Sequence, residues 1–399
     1  MVMVSTRIKP MRLAIVRQRY NPFGGAERFI ERAVAALSAS GASVTVIARA
    51  WKRAPAVAST ATPALQAIRC DPFHVGRRWR DSSFARAVCR LLQTESFDLV
   101  QSHERMACCD IFRAGDGVHR QWLALRAREQ GPLARLATRL NAYHRYLLGA
   151  ERRLFASARL RAVICNSAMV RADVLRHFSI DPARLHVIYN GIDLDVFNPG
   201  LRALHRQAVR ASMSIAPHAP VYLLVGSGFA RKGVFRLLPA FAAAAPAGSH
   251  LVIVGADRAL ARARGLAHRL GCADRVHFCG GVEDVRPYYG AADWFVLPTL
   301  YDPFPNAAIE ALACGLPVIT THQSGAAEFI QPGLNGQVCD ALDGPGLERC
   351  IAEVARLPKE ASALARAAVA GLSVGAMAER LLELYEQLLA APQGPAAGH

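Results

Sequence analysis

The stretch Thr299–Thr320, TLYDPFPNAAIEALACGLPVIT, decides the fold. It follows an apolar run, Trp294 to Leu297, that reads as a buried strand. The loop after that run carries Asp302 and opens a short apolar helix bearing Glu310. Gly315 and Pro317 stop the helix before a second β-branched run, Val318 to Thr320. Strand, loop, helix and strand in that order make a βαβ unit, and in parallel sheets ligands sit at the carboxyl ends of the strands. Both carboxylates are therefore expected near a ligand face, one on a loop and one on a helix.

The pattern repeats on either side. Val221 to Val225 reads as a strand leading into GSGFARKGVFRLLPAFAAA, a glycine turn with Arg231 and Lys232 just before a helix. Adjacent cations, a glycine loop and a helix N-terminus point to a diphosphate clamp, against the plainer reading of a capped surface loop. His250 to Val254 is a further strand, and Val276 to Phe278 another, ending in Gly280, Gly281 and Val282, where backbone can approach a planar base. Beyond the opening stretch, Ser324, Gly325 and Glu328 start a helix, and a last amphipathic segment runs from Ala376 to Leu389.

The first half of the chain restates the theme. Leu13 to Val16, a turn with Pro22, Gly24 and Gly25, a helical run and Val44 to Ala48 form strand, turn, helix and strand. Paired glycines at a helix start let backbone N–H groups approach an anion, although a ligand-free tight turn reads equally well. There is no GxGxxG, so a dinucleotide fingerprint is not supported. Residues 50–97 are less legible. Asp98 to Ser102 delivers His103, Glu104 and Arg105 to a strand end, and CCDIFRAGDGVH delivers Asp116 and His119 beside two glycines. Ionisable groups at strand ends are catalytic or binding candidates; the bland alternative is a turn or cap. Ala162 to Asn166 is a strand with Ser167 as cap of a helix reaching His177, and NGIDLDVFNPG reads as an interdomain linker.

Length and composition set the frame. At 399 residues two domains are expected, and 52% hydrophobic with 20% charged residues describes an ordered globular chain. No run approaches the roughly 20 apolar residues of a membrane span. The N-terminus has a basic patch without a signal-length apolar core, so a cytoplasmic protein is expected, starting at Met1 or Met11. The ten cysteines form no CxxC, and the adjacent Cys108 and Cys109 are a poor disulfide pair, so all read as reduced and buried, with no metal bound. A net charge of +17 attracts phosphates on nucleic acid, an anionic membrane or a small molecule. Much of it lies in residues 119–161, where ten arginines interleave with leucines and aromatics and face only Glu129 and Glu151. This suits an anionic bilayer surface; the alternative is a helical pair with a solvated arginine face. Nucleic acid is not expected, for want of a zinc pattern, an RNP-like strand or a helix-turn-helix.

The order of elements resembles the GT-B architecture, an α/β fold of two Rossmann-like domains facing across a cleft. The opening stretch resembles the acidic-x7-Glu signature of retaining glycosyltransferases of family 4. GSGFARKGV and AGDGVH are similar to the bacterial branch that glucosylates the heptose of the lipopolysaccharide inner core. The likeness runs from Gly24 to about residue 340.

That resemblance implies an acceptor-binding domain over 11–198, a nucleotide-sugar domain over 199–375, a helix over 376–391 packing back on the first, and a disordered tail over 392–399. It implies that Glu310 holds the nucleotide ribose and Asp302 the donor sugar, where the family usually has glutamate. Arg231 and Lys232 would neutralise the diphosphate, Gly24 and Gly25 would face it, and the amides of Asn306, Ala307 and Ala308 would add to the cradle, with Val282 by the base. Asp116 and His103 would lie on the acceptor side. It implies retention by front-face attack, the leaving phosphate taking the acceptor's proton, with no metal or cofactor. The expected partners are a UDP-sugar or GDP-sugar donor and a lipid-linked glycan acceptor, at the inner face of the cytoplasmic membrane. Two alternatives stay open: a sugar-nucleotide epimerase of the same architecture, and a non-enzymatic membrane-surface scaffold with a degenerate site.

Overall fold

Successive side chains of a strand point to opposite faces, so a strand apolar at every position must be covered on both. Leu13, Ala14, Ile15 and Val16 are all fully buried in the computed structural model, which describes residues 11–20, 43–51 and 66–390. They form β1 (Arg12–Val16), an interior strand of a parallel sheet with β2 (Ser43–Ala48), β3 (Gln66–Arg69), β4 (Leu99–Ser102), β5 (Ile111–Arg113), β6 (Ala162–Cys165) and β7 (Leu185–Val187). The order is β3-β2-β1-β4-β5-β6-β7, with Leu13 level with both Val44 and Leu99. The order therefore reverses between β1 and β4. Helices α1 (Gly76–Thr94), α2 (His119–Glu129), α3 (Pro132–Leu140), α4 (Ala142–Phe155) and α5 (Ala168–His177) belong to the same unit. Ser167 caps α5 by accepting from the Val170 amide at 3.1 Å.

Residues 119–155 make three helices, one more than the helical pair of the alternative reading. Pro132 takes the first position of α3, where a missing N–H costs nothing, and Asn141 ends α3 and caps α4 by accepting from Tyr143 N at 2.9 Å and His144 N at 3.2 Å.

The second unit spans Ile192 to Ser373. Its parallel sheet comprises β8 (Val221–Val225), β9 (His250–Val254), β10 (Val276–Gly280), β11 (Trp294–Leu297), β12 (Val318–Thr321) and β13 (Gly336–Cys339) in the order β10-β9-β8-β11-β12-β13. Around it lie α6 (Leu201–Ser212), the single turn α7 (Phe229–Lys232), α8 (Val234–Ala244), α9 (Leu260–Arg269), α10 (Arg286–Ala291), α11 (Asn306–Ala313), α12 (Gly344–Val354) and α13 (Ala361–Ala368). Residues 192–198, expected in the first domain, group with this unit: Ile192 N donates to Leu372 O at 2.7 Å, and Phe197 meets Tyr289 edge-on at 5.9 Å.

The last helix, α14 (Val374–Ala390), belongs to the first unit. Its stripe of Met377, Leu381, Leu384 and Tyr385 covers the sheet face that carries Leu13, Ile15 and Ile164. The opposite face packs Ala14 and Val16 with Phe84 and Val88 of α1 and Val170 and Val174 of α5. The Tyr385 hydroxyl donates to Gln101 Oε1 at 2.7 Å, and Gln101 Nε2 lies 3.3 Å from His103 Nε2. Burial, reinforced by Arg113 and Arg17, holds the His103 imidazole well below its ordinary value. Its folded pKa is thus below its unfolded one, so the unfolded chain binds the extra proton and stability falls with acidification below about pH 6.5. His119, held down at about 3 chiefly by burial, acts in the same direction. Denaturant melts between about pH 7.5 and about pH 5 should show this loss, and His103→Gln should remove the His103 share of it, leaving that of His119.

Two of the ten cysteines overturn the reading that all are reduced: Cys89 of α1 is bonded to Cys108. The adjacent Cys108 and Cys109 said nothing about a partner on α1, which lies in the stretch the sequence left unread. The bridge closes a loop of 19 residues, so Cys89→Ser should cost about 3 kcal/mol under oxidising conditions and little with reductant present, read by urea melts with and without dithiothreitol.

Candidate functional site

The second unit carries the opening stretch and organises a site around it. The strand order reverses between β8 and β11, and the segments that leave these two strands at their carboxyl ends hold Lys232, at the end of α7, and Asp302. Lys232 Nζ lies 2.5 Å from Asp302 Oδ2, and Arg231 Nη1 donates to the same oxygen at 3.1 Å. The lysine and aspartate side chains are buried, at 11% and 10% exposure, whereas Arg231 remains 45% exposed. Burial alone pushes the Asp302 carboxyl upward, but Lys232 and then Arg231 outweigh it and hold it below the usual carboxylate range. The group is therefore ionised at neutral pH, with two cations on one oxygen.

Backbone geometry fixes this arrangement. Arg231 O accepts from Leu300 N and from Thr299 Oγ1, both at 3.0 Å, which ties the cation loop to the aspartate loop. Gly233 has φ +84°, and a Cβ there would sit 2.0 Å from Pro298 O, so only glycine lets the loops meet. Asp302 N donates to Gln323 O at 3.0 Å, and Gly325 N donates to Asp302 O at 2.9 Å. Ahead of the cations, Asp257 Oδ2 accepts from the amides of Gly228 and Phe229, each at 2.8 Å. Backbone donors, Ala259 N first and Phe229 N next, hold its pKa below the ordinary value. Asp257 lies just past β9, and its capping role shows only once β8 and β9 are neighbours.

Glu310 is buried on α11, and its Oε2 accepts from the Tyr289 hydroxyl at 3.0 Å, a group also 3.0 Å from Ala307 O. Tyr289, on α10, was not singled out in the sequence; a lone Tyr gives no sign of a partner 21 positions away. Asn306 and Ala307 open α11 as expected, but the Ala308 amide donates to Pro305 O at 2.9 Å and is spent within the turn. Val282 is half-buried just past β10, at the same edge of the sheet. Among the described residues no group of three or more His, Cys, Asp or Glu is disposed to hold a metal ion.

The first unit has its own cavity, about 430 Å³, at the carboxyl ends of β1 and β4 where its strand order reverses. Asp116 lines it and is exposed, on a turn closed by Gly117 N donating to Ala114 O at 3.0 Å. Glu104, Asp81 and Tyr143 line it as well. The Tyr143 hydroxyl donates to Asp81 Oδ2 at 2.9 Å, and Gln18 N donates to Glu104 Oε1 at 3.0 Å. Burial pushes Tyr143 up to about 12, with Asp81 adding to the effect. His103 is not among the lining side chains: it is buried, on the polar chain that runs to Tyr385. Gly24 and Gly25, the start before Met11 and the tail over 392–399 lie outside the described residues.

Glu151, read as a counter-charge to the arginines, is buried at 1% exposure. It accepts from Arg105 Nε at 3.0 Å and from the amides of His119 at 2.6 Å and Arg120 at 3.2 Å, capping α2 beside the Asp116 turn.

Comparison with known proteins agrees in both halves. Residues 23–196 match the family described as Glycosyltransferase Family 4, and residues 219–356 match Glycosyl transferases group 1. Lipopolysaccharide glucosyltransferase WaaG of Escherichia coli (strain K12) is 28% identical over 331 residues, 82% of this chain and 85% of its own. The lipopolysaccharide core biosynthesis glycosyltransferase LpsE of Rhizobium meliloti (strain 1021) is 32% identical over 181 residues, 45% of this chain and 53% of LpsE. The crystal structure of WaaG superposes with a TM-score of 0.78 at 25% identity, covering 94% of this chain and 99% of that one. Anabaena HepE in complex with UDP-glucose, at 18% identity and a TM-score of 0.66 over 94% of this chain and 100% of that one, shares the fold.

Proposed function

Because this chain belongs to the family 4 glycosyltransferases of GT-B fold, we propose that it moves a hexose, with retention, from a nucleotide-diphosphate sugar to a lipopolysaccharide-core or other lipid-linked glycan. UDP-glucose is the favoured donor and a GDP-sugar the second choice. The observation that carries this reading is the convergence of Lys232 and Arg231 on Asp302 at the point where the second sheet reverses order.

Cleaving a sugar–phosphate bond builds negative charge on the departing diphosphate and positive charge on the ring. Fixed cations stabilise the first most in the transition state, which is what lowers the barrier. Lys232 and Arg231 take that role, drawn partly from Asp302 when the diphosphate arrives; Asp302 then faces the developing positive charge and the sugar hydroxyls. Asp257 keeps the 226–229 turn in place. Glu310, oriented by Tyr289, accepts from the ribose hydroxyls, Val282 lies by the base, and the Asn306 and Ala307 amides add to the cradle. With two side-chain cations at the diphosphate, no metal is required. Asp116 lies by the acceptor, and His103 acts as a positioning residue through the Gln101 chain. Purified protein incubated with radiolabelled UDP-glucose or GDP-mannose, a core-lipid acceptor and EDTA should yield labelled lipid. No labelled lipid and no released nucleotide with either donor would overturn the proposal.

The acceptor lipid calls for a membrane, and α3 has the surface for it. Leu133, Leu136 and Leu140 are 82%, 52% and 66% exposed at positions that share a helix face, beside Arg135 and Arg139. No helix among the described residues is long and apolar enough to cross a membrane. Flotation should show binding to phosphatidylglycerol vesicles that weakens with salt, and Leu133→Asp with Leu136→Asp should abolish it.

A further inference from the structure

Helix α4 serves two cavities. Tyr143, Tyr146 and Leu147 face the carboxylate-bearing cavity already described, while Arg145, Arg152 and Arg153, with Arg78 of α1, line a second of about 470 Å³. Tyr146 lines both and so forms the wall between them.

Their charge differs in kind. The first mixes Asp81, Glu104 and Asp116 with Arg17, Arg80 and Arg105, a set that accepts from and donates to the hydroxyls of a neutral sugar. The second presents four guanidinium groups and, among the described residues, no carboxylate. All four arginines are exposed, and none forms an ion pair with a described residue. Arg152 Nε donates back to Leu148 O of its own helix at 3.4 Å. Unneutralised like charges around one concave surface repel, and a planar oxyanion or phosphoryl group relieves that repulsion while taking paired N–H bonds.

On the transferase reading, we propose that this groove seats an anionic substituent of the acceptor glycan, a phosphate or carboxylate, next to the sugar that receives the hexose. The shared Tyr146 favours a glycan over a lipid headgroup: an acceptor sugar in the first cavity brings its neighbour past the tyrosine into the arginines. The exposed leucines that suit a bilayer lie on a different helix, α3.

The test compares the full-length protein with the double variant Arg145→Gln, Arg152→Gln, both exposed positions. The acceptor is a delipidated, phosphate-bearing core oligosaccharide. The variant should raise acceptor KM about tenfold and lose most of its salt dependence. Donor KM, turnover at saturating acceptor and binding to phosphatidylglycerol vesicles should match wild type. An unchanged acceptor KM overturns the proposal, and an unchanged KM with lost vesicle binding overturns it in favour of a lipid headgroup. A wild type that transfers nothing to any acceptor sinks the transferase reading itself, a result distinct from normal transfer matched by the variant.

Discussion

Lys232→Ala should lower kcat/KM by roughly a hundred- to a thousandfold, the loss seen when one preorganised donor to a developing anion is removed. Lys232 Nζ sits 2.5 Å from Asp302 Oδ2 in a largely buried pair, so the charge is already in place before the donor arrives. The variant also leaves a buried carboxylate with Arg231 as its remaining cation, and the folded state should lose stability. Removing one partner of a buried pair costs about 3–5 kcal/mol, and retained Arg231 keeps the loss at or below the lower end. The Asp302 carboxyl then titrates higher, because burial raises it and Lys232 is its largest opposing influence. Two measurements separate the effects: a urea melt for the fold, and turnover at a temperature well below the midpoint for the chemistry. Lys232→Arg keeps the charge and should recover part of the rate; a rate equal to wild type in Lys232→Ala would remove the lysine from the mechanism.

Glu310→Ala should raise donor KM by roughly ten- to a hundredfold, the loss of one or two hydrogen bonds to a charged acceptor. The residue is buried on α11 and positioned by the Tyr289 hydroxyl. Tyr289 can turn to Ala307 O, also at 3.0 Å, so the variant should stay folded with a small change in midpoint. Tyr289→Phe should move donor KM in the same direction by less, since the carboxylate remains but loses its orientation. Equal donor KM in all three proteins would contradict the assignment of Glu310 to the ribose.

Much of this site was readable from the chain because it is local. The spacing of Asp302 and Glu310 around Pro305, the glycines before Arg231, and Gly315 with Pro317 all act within a few residues, where helix starts and stops are written. Strand positions were legible for a similar reason: β8, β9 and β11 are apolar nearly throughout, as buried parallel strands are. What stayed hidden depends on elements distant in sequence. The helix α1 buries only Ser83, Phe84 and Val88 of 19 residues, too weak a stripe to announce itself, and with it went Asp81, Arg80 and the Cys89 bridge. His103 sits at a strand end like a catalytic residue, yet its side chain joins a buried polar chain completed by Tyr385, 284 positions from Gln101. Glu151 looked like one acid among many arginines; its burial and its place at the start of α2 follow from packing, which periodicity does not encode.

The pairing of Asp302 with both cations also sharpens the meaning of its shorter side chain. Asp302→Glu would push the carboxylate one methylene further along a path already occupied by Lys232, so donor choice and cation placement should shift together. A screen of donors sharing one nucleotide and differing in the sugar should show altered preference in this variant, with the fold unchanged.

The most direct measurement is proton NMR of the reaction of UDP-α-glucose with a core oligosaccharide, following the anomeric signal of the first product formed. The expected result is an α-linked glucosyl product appearing in step with free UDP, and appearing far more slowly with Lys232→Ala. A β-linked product would contradict retention, and no transfer with any nucleotide sugar, together with no UDP release, would contradict the assignment of a glycosyltransferase site to Arg231, Lys232, Asp302 and Glu310.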